Sequence, residues 1–400
     1  MLKVLQLNDK VGLHGGVETY LSQLIELLPE YGVESVWMGW KATGKNRFQI
    51  YIAPSEEVVF EGSWKESQAY FIAYLEKENI DLLHLHSISD RGIIETAFAQ
   101  RPVFRSMHEP RMFCPGQGKF WRYSEDICTQ AFGWHCIGHT YTQGCANRHP
   151  KRVWQAMKIT RFEIKQASQQ YEKIIAMSDY MKKEAVLAGI LPEQIEVNPY
   201  FTPTAEANAF SEKAQVRMLY MGRIIPHKGV HLMLEAVRPL LTAYPHLRLD
   251  ILGDGTPFPA LEHQKGGLEA DGTAEQVRWR GWQDRAGIQE YLSEADICIF
   301  PSIYPEAFGI SGIEAMMRGI PVIGFDVGGV STWLKDRVSG WLIPRGDVQA
   351  MGERLKIWLD DPVKRKQMGE NARELALEKF TAGVHLSRLT RLYHKSLSGA

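Results

Sequence analysis

Glu306 and Glu314 stand with seven residues between them in Ile299-Phe300-Pro301-Ser302-Ile303-Tyr304-Pro305-Glu306-Ala307-Phe308-Gly309-Ile310-Ser311-Gly312-Ile313-Glu314-Ala315-Met316. The segment reads as a strand ending at Phe300, a loop bearing Glu306, and a helix that starts near Gly309 and carries Glu314. The first amides of that helix lack intrahelical partners and sit at the positive end of its dipole, so the helix start is an anion site that a diphosphate would fit. Gly309 and Gly312 put no side chain between backbone and ligand. The carboxylates before and after the first turn can accept hydrogen bonds from hydroxyls at opposite ends of a ligand, which suits a sugar on one side and a ribose on the other. The plainer alternative is one loop carboxylate and one solvated helix residue.

Arg223 and Lys228 follow a strand, in a loop with Pro226, His227 and Gly229. If that loop faces Gly309, the two cations would neutralise a departing diphosphate, where charge develops when a glycosyl bond breaks; otherwise they are surface charges on a turn. Gly253-Asp254-Gly255 follows a strand and is either a phosphate turn or a simple connection. Pro257-Phe258-Pro259 argues against a long helix directly after it, so a complete dinucleotide fingerprint is absent and NAD is not expected. Gly15 and Gly16 precede a helix of Glu18 to Leu28, and His108 ends a strand. His84 and His86 alternate along a strand and are expected on opposite faces, unable to share one metal. Cys114, Cys128, Cys136 and Cys145 cluster with His135, His139 and His149; structural zinc, a disulfide pair and buried free thiols all stay open for them. Cys298 reads as a small core residue.

These groups need elements to hold them. Apolar runs at Val4–Leu7, Ser35–Met38, Asp81–His84, Val103–Met107 and Lys173–Met177 alternate with helical stretches such as Ser67–Glu78, which predicts a parallel sheet covered on both faces. Asn198-Pro199-Tyr200-Phe201-Thr202-Pro203 breaks the pattern and places a hinge within Glu196–Ala214. A second series follows at Val216–Met221, Leu247–Leu252, Val277–Trp279, Ile297–Phe300, Pro321–Phe325 and Gly340–Ile343, then helices at Val348–Leu359, Pro362–Phe380 and His385–Ser396.

Composition bounds the rest. The 400 residues carry 46 Lys and Arg against 47 Asp and Glu, so no global charge draws the chain to nucleic acid or an anionic membrane. Five cysteines are too few for a secreted disulfide framework, and no apolar run nears the roughly 18 residues of a membrane span; a cytoplasmic protein without leader or span is expected. Arg148 to Lys173 is rich in Lys and Arg interleaved with Trp154, Met157, Ile159, Phe162 and Ile164, either a membrane-docking helix or a solvated one with an ordinary core face.

The frame Pro-Ser-x-x-x-Glu-x-Phe-Gly-x-x-x-x-Glu-Ala-Met resembles the Glu-x7-Glu motif of the retaining glycosyltransferases of family 4. Gly222-Arg223 with Lys228-Gly229, the loop Gly15-Gly16-Val17-Glu18, and Gly328-Gly329 with Gly340 are similar to further motifs of that family, in the same order. The resemblance implies an α/β GT-B fold, with two Rossmann-like doubly wound domains facing a central cleft: residues 1–200 for the acceptor, with a Cys-rich loop at 110–150, 215–383 for the nucleotide sugar, and a helix at 384–400 crossing back. It implies catalytic roles for Glu306, Arg223, Lys228 and His108, with Glu109 replacing the family's shorter acid, and donor contacts from Gly15, Gly16, Gly222, Gly253, Phe308, Gly309, Ile310 and Glu314. The implied reaction moves a hexose from a nucleotide-diphosphate sugar, UDP ahead of GDP, to a sugar or lipid-linked acceptor in glycan, polysaccharide or glycolipid synthesis. It proceeds with retention by front-face attack, needs no cofactor for transfer, involves no nucleic acid, and allows peripheral contact with the inner face of a membrane. A nucleotide-sugar epimerase of the same fold and a non-catalytic sugar-nucleotide-binding partner are the alternatives.

Overall fold

The structure is a computed structural model describing residues 1–9, 15–44, 46–53, 57–209 and 215–398. Gly12, in the N-terminal glycine loop, lies outside the described residues. The chain divides into two compact units, one of Met1–Tyr200 with the C-terminal segment from Ala382, the other of Phe201–Thr381.

The first unit has strands β1 (Leu2–Asn8), β2 (Val33–Gly44), β3 (Arg47–Ile52), β4 (Val58–Ser63), β5 (Leu82–Leu85), β6 (Val103–Met107), a two-stranded ribbon of β7 (Phe120–Trp121) and β8 (Asp126–Ile127), then β9 (Tyr171–Ala176) and β10 (Ile195–Val197). Its main sheet runs in the order β10-β9-β6-β5-β1-β2-β3-β4. The strands from β10 to β2 pair in parallel and are mostly buried, as apolar runs covered on both faces must be. The edge departs from the expected all-parallel sheet, because β3 and β4 add an antiparallel hairpin. In β3, Phe48 and Ile50 face inward while Arg47 and Gln49 face out to Glu61, the alternation of a ribbon with one wet face. The next helix, Trp64–Lys77, starts earlier than its apolar period suggests, since Ser63 and Glu66 close a reciprocal capping box.

Where β1, β5 and β6 end, the first unit buries a directional chain of neutral imidazoles. Gln6 donates through its amide to Ser35 Oγ (3.0 Å), so its Oε1 accepts from His86 Nε2 (2.8 Å). The other nitrogen of His86 must then accept from His108 Nε2 (2.8 Å), which leaves His108 Nδ1 to accept from the Tyr200 hydroxyl. Beside this chain, His84 bridges Tyr393 (2.6 Å) and Ser106 (2.9 Å), and His385 donates to the Pro199 carbonyl (2.7 Å) while accepting from Tyr20 (2.9 Å). The last helix, Ala382–Ser398, is thus held in this unit by His385 and Tyr393. The expectation of opposite faces for His84 and His86 is overturned: their ring centres are 4.3 Å apart. Residues two apart on a strand share a face, which is the physical reason for the correction.

The second unit is a six-stranded sheet of β11 (Arg217–Met221), β12 (Arg248–Leu252), β13 (Val277–Gly281), β14 (Ile297–Phe300), β15 (Val322–Phe325) and β16 (Gly340–Ile343). All pairs are parallel, and the order is β13-β12-β11-β14-β15-β16. The strand order reverses between β11 and β14, and at such a switch point successive connections leave on opposite faces and open a crevice at the strands' carboxyl ends. The loops carrying Arg223 and Glu306 leave those two ends.

Burial depresses the imidazoles of the first unit, His108 to about 3, His385 to about 4, and His84 and His86 well below the usual 6.5. Below about pH 6.5 the unfolded chain binds protons that the folded unit refuses, so stability is lost as pH falls, by about 2 kcal/mol per imidazole at pH 5. Limited proteolysis with fragment mass spectrometry should therefore show cuts within Met1–Tyr200 emerging first at pH 5, and not at pH 7. Equal release of both units at pH 5 would contradict this.

Candidate active site

The second unit builds its site from turns packed backbone on backbone. After β11, Gly222 donates to the Leu252 carbonyl (3.0 Å), and Gly253, with φ 130°, sits so close that a Cβ on it would lie 1.9 Å from the Gly222 oxygen. Ile224 donates to the Asp254 carbonyl (2.9 Å), locking the Gly253–Gly255 turn to the β11 loop. Farther on, Pro226–Lys228 form one turn of tight helix ending at Gly229, whose φ of 71° and missing side chain let the chain pass over β14; a Cβ there would meet the Pro301 oxygen at 1.9 Å. The helix after Gly253–Gly255 begins at Pro259, where a proline is pre-shaped for the first turn.

This packing delivers Lys228 to Glu306. Lys228 Nζ donates to Glu306 Oε1 (2.6 Å), and Ser302 Oγ donates to the same oxygen (2.5 Å). The two loops are also stitched by Ile303 N, which donates to the His227 carbonyl (3.1 Å). From behind, Gly329 N donates to the Glu306 carbonyl (2.7 Å), which gives the later Gly328-Gly329 pair its place. Glu306 is buried, whereas Arg223 is exposed. The two sequence-derived cations therefore differ: one enters an ion pair with the sequence-derived carboxylate, the other faces solvent.

Gly309, with φ 103°, caps the helix Ile310–Met317 with no side-chain cap on its first amides. Phe308 is buried and its carbonyl accepts from Trp333 Nε1 (2.7 Å), fixing the approach to the helix, while Ile310 is half-buried at its first position. Glu314 lies one turn further along; burial pushes its carboxyl up to about 7, with Arg285 pulling the other way. A carboxyl that titrates near neutrality is able to donate as well as accept a hydrogen bond. Two residues were passed over in the sequence: Trp282, just past β13, is 68% exposed, and Lys265, on the helix Pro259–Ala270, lies 4.8 Å from the Trp279 ring centre. A lone exposed tryptophan has no sequence period; only its place at a strand's carboxyl end marks it.

In the first unit, Gly15 caps the helix Gly16–Leu27 without a side-chain cap, and a Cβ on Gly15 would lie 2.9 Å from Glu18 Oε2. A first-turn carboxylate thus already faces the positive end of this helix. His108 has both ring nitrogens engaged by His86 and Tyr200. Glu109 pairs with Arg111, which also reaches Asp9 (3.2 Å) and the Ser87 carbonyl (2.7 Å).

The zinc reading of Cys114, Cys128, Cys136 and Cys145 meets no support. All four are free thiols, and among the described residues no three His, Cys, Asp or Glu side chains are grouped to hold a metal ion. The thiols do sense one another: burial first, then the neighbouring cysteines, push Cys145 up to about 11, and Cys136 is raised in the same way. Cys298 is buried in β14 as expected of a core residue.

Comparison with known proteins fits this geometry. Residues 203–375 match the family model described as Glycosyl transferases group 1, and residues 14–206 match that of Glycosyltransferase Family 4. The chain belongs to the family 4 glycosyltransferases, with their GT-B fold. Among its relatives, the D-inositol 3-phosphate glycosyltransferase 2 of Catenulispora acidiphila is 26% identical over 409 residues, covering 96% of this chain and 90% of that protein. The alpha-D-kanosaminyltransferase of Streptomyces kanamyceticus is 25% identical, covering 70% and 76%. In fold, the chain is similar over its full length to HepE from Anabaena in complex with UDP and glucose, with a TM-score of 0.66 at 17% identity and full coverage of both chains. Sucrose-phosphate synthase from Thermosynechococcus elongatus aligns over both full chains at a TM-score of 0.68 and 20% identity. The enzyme is thus a glycosyltransferase that uses a nucleotide-sugar donor.

Glu314 supplies a test of this environment. Its carboxyl rises from the usual 4.5 to about 7 on folding. The folded state keeps a proton that the unfolded chain has released, so stability falls as pH climbs through this window, by about 3 kcal/mol at pH 8. Glu314→Gln should raise Tm by roughly 6–12 °C at pH 8 and by much less at pH 5. Equal shifts at both values would show that the carboxyl is not withdrawn from water.

Proposed function

We propose that this enzyme transfers a hexose, with retention, from a nucleoside-diphosphate sugar to a sugar or lipid-linked acceptor in glycan, polysaccharide or glycolipid synthesis. The observation that carries the reading is Glu306, held by Lys228 and Ser302 at the point where the second sheet reverses its strand order. UDP is favoured over GDP, in keeping with the UDP-bound HepE of similar fold.

The diphosphate lies at the opening amides of Ile310–Met317, next to Gly309, with Gly222 and Gly253 giving it room against the backbone. Both contacts to Glu306 end on one oxygen, so its other oxygen accepts from a hexose hydroxyl. Glu314, poised near neutrality, bonds the ribose hydroxyls, and the Trp282 ring offers a face to the base. As the bond from anomeric carbon to phosphate oxygen breaks, negative charge grows on the leaving phosphate. Arg223 supplies one cation, and Lys228 turns from Glu306 to the phosphate as the second. The acceptor hydroxyl attacks from the face the phosphate leaves, and its proton passes to a phosphate oxygen, so no protein nucleophile is consumed. Transfer needs no metal in this scheme.

His108, with Gly15 and Gly16, serves the acceptor and donor side from the first unit. Its fixed tautomer means that a sugar hydroxyl must take the place of Tyr200 or His86 to bond the ring. No helix among the described residues is long and apolar enough to cross a membrane, and we place the enzyme in the cytoplasm, in peripheral contact with the inner membrane face.

Because Arg223 is exposed, Arg223→Ala should leave Tm within a degree or two while cutting kcat/KM about 100- to 1,000-fold. Glu306→Gln should lower kcat with little change in nucleoside-diphosphate affinity. Thermal shift with UDP-, GDP- and ADP-sugars identifies the base, since a ligand at 100 times its Kd adds about 2.7 kcal/mol. NMR of the product should show the donor's anomeric configuration. An epimerised sugar formed without acceptor, or an Arg223→Ala enzyme of full activity, would overturn the assignment.

A further inference from the structure

The second unit also opens a cavity at the far end of its sheet, of about 370 Å³, with Asn208, Asp296, Arg365, Lys366, Glu370 and Arg373 in its walls. Its volume falls within the roughly 300–1,000 Å³ of ligand pockets. Asp296 and Pro321, which also lines it, directly precede β14 and β15, so the cavity lies at the amino ends of strands whose carboxyl ends lead to the crevice of Glu306. Lys366, Glu370 and Arg373 follow one another at i, i+4 and i+7 on the helix Pro362–Lys379, so a single polar stripe of that helix faces the space.

The cations are fixed before any ligand arrives. Arg365, 3% exposed, donates to the Trp358 carbonyl (3.0 Å), and burial lowers its guanidinium against the pull of Asp296. Arg373, half-buried, donates to the Ala205 carbonyl (2.7 Å) and to the Met317 carbonyl. Two guanidinium forks held in place suit the oxygens of a phosphoryl group or carboxylate. Lys366 is exposed, and its pair with Glu370 is long at 3.8 Å, a contact weak enough to yield to an anion. Three cations thus share the walls with two carboxylates, Asp296 and Glu370. The cations call for a negative group, and the carboxylates accept from hydroxyls. Inorganic phosphate would leave the carboxylates facing a like charge. A nucleotide would find no aromatic ring in the lining for its base. A phosphorylated sugar satisfies both halves.

We propose that this cavity is a regulatory site for a hexose phosphate, with the phosphoryl group on Lys366 and Arg373 and the sugar hydroxyls on Asp296 and Glu370, and that its occupancy changes donor affinity. The route is short. Gly319 and Ile320 in the lining directly follow the helix Ile310–Met317 and its cap Arg318, Arg373 grips the Met317 carbonyl, and Asn208 N donates to the Arg318 carbonyl (2.9 Å). Eight residues span about 12 Å, so the cavity holds one end of the helix whose other end meets the donor diphosphate. A ligand that draws on Arg373 alters that hold, and the coupling is reciprocal. The coupling rests on the donor site proposed above, whereas the binding rests on the cavity alone, so the two fail separately.

The test is calorimetric titration of the full chain with glucose 1-phosphate and glucose 6-phosphate, beside glucose and inorganic phosphate, with hydrogen exchange to locate the site. At least one hexose phosphate should bind more tightly than either control and slow exchange in peptides covering 318–321 and 362–375. Saturation with the donor's nucleoside diphosphate should leave that binding in place, which separates the cavity from the crevice. Lys366→Glu, at an exposed position, should weaken binding about tenfold or more while leaving transfer without hexose phosphate unchanged. Bound hexose phosphate should move the donor KM severalfold in the parent enzyme and not in the variant. Exchange unaltered in both segments, binding abolished by the nucleoside diphosphate, inorganic phosphate binding as tightly, or a Lys366→Glu enzyme that binds like the parent would each overturn the site. Binding with an unmoved donor KM would overturn the coupling.

Discussion

The second unit turns on one contact, the bond from Lys228 to Glu306. A carboxylate withdrawn from water is costly unless it is paired and hydrogen-bonded, and here one oxygen takes both a lysine and a serine. The contact can form only because two loops that leave opposite sides of a strand-order switch are pressed together, and they can press together only where side chains are missing, at Gly229 over Pro301 and at Gly253 over Gly222. Glycine spacing, ion pair and crevice are therefore one device. Replacing any glycine with a bulkier residue would part the loops and strand the carboxylate.

The first unit solves a similar problem in the opposite way. It buries four imidazoles, and burial keeps them neutral, so that each nitrogen must find a donor or acceptor of the right sense. The run from Tyr200 through His108 and His86 to Gln6 has one consistent direction, which fixes the tautomer of His108. Three strands, the last residues before the second unit and the C-terminal helix meet in that cluster. Charge would disrupt it, which is why its weakness is acid and that of the Glu314 environment is base.

Much of this was legible in the sequence. Apolar runs with helical spacers foretold both parallel sheets, and the spaced Gly-Arg, Lys-Gly and Glu-x7-Glu motifs foretold the family. What escaped shows the reach of local pattern. The antiparallel hairpin of β3 and β4 has a strand period, but its place at the sheet edge depends on pairing. His84 and His86 were set on opposite faces although two residues of spacing return a side chain to the same face. Lys228 read as a phosphate ligand alone, because its partner lies 78 residues away in the chain and only the switch point brings the two together.

Hydrogen exchange of the whole enzyme with a nucleotide sugar measures the central claim without altering a residue. Binding should slow exchange in peptides spanning 222–229 and 302–314, the loops joined by Lys228 and Glu306 and the helix start beyond them. Tight binding that leaves both segments exchanging as in the free enzyme would contradict the account.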